Sequence, residues 1–284
     1  MLQKLLAPIV LLSSLLALGA CDKHAVQTSR PNAPIAGATA AAPRSAESCA
    51  DHYLDGRAPQ IRNPKLAPAT RELCFNVFTV MHSGVTRTPL WSAEHLEAHE
   101  VESAQQLTRE NSFHAESRLP AAQRAELADY ARSGLDRGHM APNGDMPDRD
   151  SQRDSFSLAN IVPQDGENNR HLWAGIEGVV RKMAQKEGDL YVVTGPAFVG
   201  SELRKIGNVL VPTHLYKLVY SPRQKAGAAW FVENTPDAKP TVISIPELER
   251  KIGINLLPAL SEDEKARRLQ LPNIRQKKDN KRTQ

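Results

Sequence analysis

Asp136-Arg137-Gly138-His139-Met140-Ala141-Pro142, and after it Asn160-Ile161-Val162-Pro163-Gln164 leading to Asn169, Trp173, Glu177 and Arg181, form the stretch that decides the fold. A neutral His139 can take a proton from water near pH 7, because an unperturbed imidazole titrates at about 6.5. Arg137 is a permanently charged fork matched to phosphate oxygens. Gly138 permits a backbone approach that a side chain would block. On an α-helix, Asn169, Trp173, Glu177 and Arg181 follow at four-residue steps and share one broad face. That face carries an amide oxygen, a carboxylate and a guanidinium. An amide oxygen is a hard-cation ligand, and Mg2+ keeps most of its waters when few protein ligands are supplied. Hydrolysing a phosphodiester needs an activated water, a cation on the developing charge and a proton for the leaving oxygen. Each segment alone has a plainer reading. The first could hold a structural, hydrogen-bonded histidine; the second could be an ordinary Glu177–Arg181 ion pair beside a core tryptophan.

Working outward, Leu73 to Val80, Leu190 to Thr194, Val209 to Tyr220 and Ala228 to Val232 mix β-branched and aromatic residues and are predicted strands. Helical patterns cover Ala121 to Arg132, Asn169 to Lys186 and Ile245 to Ile252, with Pro246 acceptable in a first turn. Strands and helices do not alternate regularly, which predicts α+β rather than a doubly wound sheet. His95-Leu96-Glu97-Ala98-His99 has the histidine spacing of a helical zinc pair, but Glu97 is not in the catalytic position of His-Glu-x-x-His. That segment is predicted to be an exposed polar helix. Asp145, Asp148, Asp150 and Asp154 form an acidic cluster that could hold a second metal but is predicted to be a solvated loop. No Gly-x-Ser-x-Gly elbow frames Ser155 or Ser157, so serine-hydrolase chemistry has no footing.

The 284 residues are 40% hydrophobic and 24% charged, a globular composition, and their formal charge of +4 suits a polyanionic partner without establishing one. Residues 1–20 pair Lys4 with an apolar run from Leu5 to Leu18, too short to span a bilayer comfortably, and are expected to be a signal peptide. Leu18-Gly19-Ala20-Cys21 resembles the lipobox of bacterial lipoproteins, with Cys21 as the lipidation site; the alternative is ordinary cleavage after Gly19 or Ala20. Either way the chain is expected to be exported: periplasmic and membrane-tethered in the first case, soluble periplasmic or secreted in the second. Residues 21–48, rich in Ala, Pro, Ser and Thr, read as a flexible tether, 49–260 as the folded domain, and 261–284 as a basic tail. The tail is either an arm for nucleic acid or anionic lipid, or a solvated helix end with a disordered extension. Setting Cys21 aside leaves Cys49 and Cys74, an even pair in an oxidising compartment; they form a disulfide or stay two thiols.

Together the two central segments resemble the DNA/RNA non-specific endonuclease family, which includes endonuclease G and secreted bacterial nucleases. Asp136-Arg137-Gly138-His139, then Asn160-Ile161-Val162-Pro163-Gln164, then Asn169, Trp173 and Glu177 stand in that family's order and spacing. The likeness runs from about Cys74 through Thr194-Gly195-Pro196 to the Pro258 region. It implies an α+β domain with a central antiparallel sheet and a ββα-metal (His-Me finger) nuclease site. It implies His139 as general base, Asn169 as the single protein ligand of Mg2+ (Mn2+ being possible) and Glu177 as the acid holding metal-bound water. Arg137 and Arg181 match arginines near the scissile phosphate, and Arg87 in Thr86-Arg87-Thr88-Pro89-Leu90-Trp91 matches an upstream phosphate arginine. Asp136 matches a loop-fixing residue. The implied partners are DNA and RNA as substrates, cut with little choice to leave 5′-phosphates. Activity is then expected to fall below about pH 6.5 as His139 protonates, neighbouring cations lowering that midpoint. A rival from another class is a lipid-tethered nucleic-acid-binding protein without hydrolysis, serving DNA capture or uptake.

Overall fold

The computed structural model describes residues 46–274. All of these residues belong to one compact unit. The expected signal peptide, Cys21, the expected tether up to residue 45 and the expected tail from residue 275 lie outside the described residues.

The fold is α+β around a seven-stranded antiparallel sheet. Its strands are β1 (Thr70–Cys74), β2 (Thr79–Ser83), β3 (Thr88–Glu97), β6 (Asp189–Ala197), β7 (His214–Ser221), β8 (Ala226–Glu233) and β9 (Thr241–Ile243). A separate pair, β4 (Asp136–His139) and β5 (Ile161–Gln164), stands outside the sheet. Spatial order in the sheet is β9-β8-β7-β6-β3-β2-β1. Four helices matter to the site and its support: α1 (Ala98–Ala104), α2 (Arg149–Ser155), α3 (Ala174–Glu187) and α4 (Ile245–Ile252).

The central strands are apolar on both parities because both faces are covered. On β7, Leu215 and Val219 join one core with Ile176, Val180 and Ala184 of α3. Tyr216, Leu218 and Tyr220 of the same strand join a second core with Ile245 and Leu248 of α4. Ser244 caps α4 by accepting the Glu247 N–H, and Gly253 ends it at φ 71°, where a glycine carries no Cβ penalty. Past Leu260 the chain returns to the sheet. The Gly227 N–H donates to the Arg267 carbonyl and the Leu269 N–H to the Gly227 carbonyl. Lys265, counted among the basic residues of the tail, is buried and donates to Glu249 and Asn255.

Several local expectations are corrected. Leu73 to Val80 is not one strand but the turn of a hairpin between β1 and β2. There the Phe75 N–H donates to the Phe78 carbonyl and the two rings stack at 4.6 Å, so their shared burial folds the chain back. Ala121 to Arg132 is not a continuous helix. The backbone is extended at Arg124, next to a buried Ala125, and only Leu127–Tyr130 is α-helical, restarted by a Glu126–Asp129 capping box. His95 to His99 is not an exposed helix: Leu96 is a buried strand residue, His95 pairs with Asp189 at 2.9 Å, and α1 begins only at Ala98. The predicted strand from Val209 is broken after Leu210 and resumes at His214, with Pro212 between.

Cys49 and Cys74 are joined in a disulfide with Cα atoms 5.5 Å apart. It ties the 3₁₀ segment Ala46–His52 to the end of β1. In the chain-entropy account a loop of this kind contributes about 3 kcal/mol. Replacing both cysteines by serine is expected to lower the urea-unfolding stability by roughly that amount; an unchanged midpoint and slope would refute the assignment.

Candidate active site

β4 and β5 pair antiparallel, Asp136 opposite Gln164 and His139 opposite Ile161, and α3 follows. This ββα unit packs through Met140, Val162, Trp173 and Ile176 onto the sheet face that carries Leu215 and Val219. The glycine of the motif is required by packing. A Cβ at Gly138 would strike the Oε1 and Cβ of Gln164, whose Nε2 donates to Asn168. The turn after His139 is held by Asn160, fully buried, whose amide accepts from the Ala141 N–H and donates to the Ala141 carbonyl at 2.9 and 2.8 Å.

His139 is 7% exposed, between Phe113 and Phe156, with ring centroids at 5.4 and 5.0 Å. Its Nε2 is sealed without a partner, which leaves Nδ1 as the nitrogen able to meet a water in the pocket. Burial, helped by the nearby charges of Arg109 and Arg137, pushes the imidazole down to about 3. The neutral, proton-accepting form is therefore the resident one. Both arginines lie on the flanking rings: the Arg137 guanidinium is 4.2 Å from the Phe113 centroid and that of Arg109 5.1 Å from Phe156.

One wide π-helical turn, Asn168–Trp173, precedes α3. It corrects the expected regular four-residue steps, because i→i+5 bonding shifts Asn169 relative to the residues that follow. Trp173 is turned into the core, while Asn169, Glu177 and Arg181 all line one pocket of about 540 Å³ with Arg137, His139 and Arg109. Glu177 and Arg181 do not form the simple ion pair that their spacing allows. Arg181 Nη1 donates instead to Asp145 Oδ1 at 2.7 Å, and Asp145 is 2% exposed. The acidic cluster is accordingly solvated only in part: Asp148 and Asp150 are exposed, whereas Asp145 is buried. Asp145 anchors Arg181, Asp148 caps α2 by accepting the Ser151 N–H, and Asp154 accepts two bonds from Asn76. Burial lifts the Glu177 carboxyl to about 7, against the pull of Lys217 and Arg181 and with the push of Asp145.

Asn169 Nδ2 donates to Asp136 Oδ2 at 3.0 Å, and Arg170 grips both oxygens of the same carboxylate. Burial works against the Asp136 charge, but the Arg170 and Asn169 bonds hold its carboxyl below the ordinary value. With its nitrogen so committed, the Asn169 amide presents Oδ1 as a free hard donor beside the Glu177 carboxyl, a set that suits Mg2+ or Mn2+. A second group, Glu97, His99 and Glu100, brings ligand atoms within 4.8 Å of one another, but none of the three lines the pocket. Glu97 and Glu100 are committed to the capping box of α1, at a helix terminus whose dipole disfavours a cation.

Arg87 is not brought to the pocket. It sits in the turn between β2 and β3 at φ 56° and donates to the Arg124 carbonyl. Among the pocket residues that sequence reasoning missed, beside Asn143 and Arg170, are Arg109 and Phe113. They lie in an irregular segment with no periodicity, and only an arginine spaced upstream of the motif could have flagged it.

The profile of the DNA/RNA non-specific endonuclease family matches residues 58–263. Nuclease C1 of Cunninghamella echinulata var. echinulata is 38% identical over 51% of this chain and 63% of its own length. The mitochondrial nuclease EXOG of Danio rerio is 32% identical over 63% of this chain and 58% of its own. This chain thus spans about three fifths of the length of these curated relatives. Among solved structures, that of the EndoG/EndoGI complex matches with a TM-score of 0.60 and 25% identity, covering 68% of this chain and 88% of that one.

In metal-free protein, the His139 imidazole is expected to stay neutral through mildly acid pH, while Glu177 titrates near neutrality. The sign follows from the imidazole's low folded value. Between about 3 and the unfolded value of about 6.5, the unfolded chain binds a proton that the folded chain refuses. The stability contributed is present above the unfolded value and is lost as pH falls through the folded one. Side-chain NMR titration checks both groups; a His139 midpoint near its unperturbed value would contradict the site's geometry.

Proposed function

The chain belongs to the DNA/RNA non-specific endonuclease family, and from that premise we propose that it is a metal-dependent endonuclease hydrolysing DNA and RNA phosphodiesters to 5′-phosphate ends. The observation that carries this reading is the convergence of His139, Arg137, Asn169, Glu177 and Arg181 on one pocket from β4, the π-helical turn and α3. Asn169 would hold Mg2+ through Oδ1, with Mn2+ as an alternative. When bound, the cation supplies positive charge for the scissile phosphate and the leaving 3′-oxygen.

The remaining work falls to this chain's own side chains. His139, kept neutral, takes a proton at Nδ1 from the attacking water, with the hydrogen on Nε2. Phe113 and Phe156 fix the plane of the ring and exclude bulk water from its back. Arg137 and Arg109, which face the pocket without a carboxylate partner among the described residues, bind non-bridging phosphate oxygens. Arg181, braced by Asp145, adds a third cation, and Glu177 accepts hydrogen bonds from water in the pocket. Arg109 takes the upstream phosphate role first expected of Arg87. We also infer export, with the leader of residues 1–20 ending at a lipid-bearing Cys21 that tethers the enzyme on the periplasmic side. The Cys49–Cys74 bridge supports an oxidising compartment.

The test is cleavage of supercoiled plasmid and of RNA with Mg2+ or with EDTA. His139→Ala is expected to lower kcat by about 10²–10⁴-fold. Binding without metal-dependent cleavage would favour the nucleic-acid-binding rival, and full cleavage by His139→Ala would overturn the site. Arg109→Ala is expected to lower kcat/KM by about 10- to 100-fold, the loss of one charge-assisted contact, and Arg87→Ala to leave it nearly unchanged. The reverse order would return the phosphate role to Arg87.

A further inference from the structure

Beneath the pocket, on the sheet face covered by α3, Lys217 stands between Leu215 and Val219 on β7 and is 1% exposed. Its Nζ donates to Thr194 Oγ1 on β6 at 2.6 Å and to the Met140 carbonyl at 3.4 Å. It lies 5.8 Å from the centroid of the Trp173 ring. Met140 directly follows His139, and its N–H is held by the Asn160 carbonyl at 3.0 Å.

An ammonium buried in an apolar sheet face costs several kcal/mol unless its hydrogen bonds and charge are answered. A leucine or methionine would fill this volume without that cost, but it would leave the buried Glu94, Asp145 and Glu177 without this counter-charge. Among the described residues, no carboxylate is in ion-pair contact with it. Its direct acceptors are one hydroxyl and the one carbonyl that governs where β4 ends. Glu94, Asp145 and Glu177 feel its charge from β3, from the turn before α2 and from α3. Lys217 is thus the buried cation on which the floor of the pocket is assembled.

We propose that Lys217 is a positioning residue for the hydrolysis: it pins the Met140 carbonyl from below and so fixes the His139 imidazole against the pocket. The proposal rests on the nuclease reading of that pocket. Asn160 holds the N–H of Met140 and Lys217 its carbonyl, so the residue after His139 is held through both of its flanking peptides. With the carbonyl released, the ring could rock between Phe113 and Phe156, and a small misplacement of a reacting group is costly in kcat.

The experiment compares wild type, Lys217→Met and Thr194→Val on a short duplex at saturating Mg2+. The His139 ring is followed by NMR in metal-free protein. Lys217→Met is expected to keep a native near-UV CD spectrum, to lose about 10²-fold in kcat with KM within about twofold, and to shift or broaden the His139 ring signals. A folded variant with wild-type kcat and unshifted ring signals, even if less heat-stable, would overturn the proposal and leave Lys217 a structural residue. If Lys217→Met does not fold, Thr194→Val decides, because it keeps the shape and removes only the hydroxyl that aims the ammonium. A loss in kcat at constant KM with shifted ring signals then supports the proposal, and wild-type values overturn it. Failure of the nuclease reading looks different. Wild type would not cleave, while the ring signals would still report whether Lys217 holds His139 in place.

Discussion

The buried amide of Asn160 is the contact on which the rest of the site depends. It accepts from the Ala141 N–H and from Ser92 Oγ, and donates to the carbonyls of Ala141 and Ser155. One side chain therefore joins the turn after His139, the end of α2 and the central strand β3. With all four bonds made, the amide is stabilised in place; with any one removed, a buried polar group is left unpaired at a cost of about 1–3 kcal/mol. That asymmetry makes the geometry discrete. The pairing of β4 with β5 cannot slide without breaking bonds at both ends of the turn, and a one-residue slip would turn His139 to the wrong face.

Much of this was legible in the sequence, and the reasons are specific. Asp136 to His139 and Asn160 to Gln164 are short segments whose residue types are dictated by contact with one another: Gly138 is small because Gln164 lies against it. Local necessity of that kind is written residue by residue. The central strands declared themselves because burial on both faces leaves a continuous apolar run. Arg109 and Phe113 were not legible, since their position depends on an irregular segment that returns to the site through tertiary contacts alone. The acidic cluster misled for a related reason. Four aspartates in a short span look solvated, yet two of them were claimed by partners distant in the chain: Arg181 for Asp145, Asn76 for Asp154. Lys217 did leave a mark, a lone cation in Leu215-Tyr216-Lys217-Leu218-Val219, and a charged residue on an otherwise apolar strand is the signal worth pursuing.

The π-helical turn shows how a local irregularity serves the chemistry. A regular helix would have placed Asn169 and Trp173 on one stripe, forcing the amide toward the core or the indole toward the pocket. Widening the turn separates them: Trp173 is fully buried, while Asn169 is half-buried at the pocket with its amide oriented by Asp136. Asp136 is itself braced by Arg170, which lines the same pocket. Burial of the Trp173 indole is the largest single hydrophobic gain available to the unit.

The charges around the pocket also explain the breadth of substrate expected of it. Asp145 neutralises Arg181, and Asp136 neutralises Arg170, so these two cations are answered within the protein. Arg137 and Arg109 have only aromatic faces beneath them. A face of Phe113 or Phe156 positions a guanidinium without neutralising it: Arg109 Nε donates to Asn111 Oδ1 at 2.9 Å, but neither arginine has a carboxylate in ion-pair contact among the described residues. On the proposed reading an incoming phosphate would complete a charge balance that the chain leaves open, while His139 is kept neutral by its burial and, after that, by those same cations. One pair of arginines would then serve both anion binding and, beside burial, the neutrality of the proposed base. Nothing in that pair reads a base edge: guanidinium contacts to phosphate oxygens are alike on every nucleotide and indifferent to a 2′-hydroxyl. Selectivity between DNA and RNA would need a group placed beyond the phosphate, and the cationic groups of the pocket, Arg109, Arg137, Arg170 and Arg181 beside Asp136, Asn169 and Glu177, would meet phosphate oxygens or a metal first.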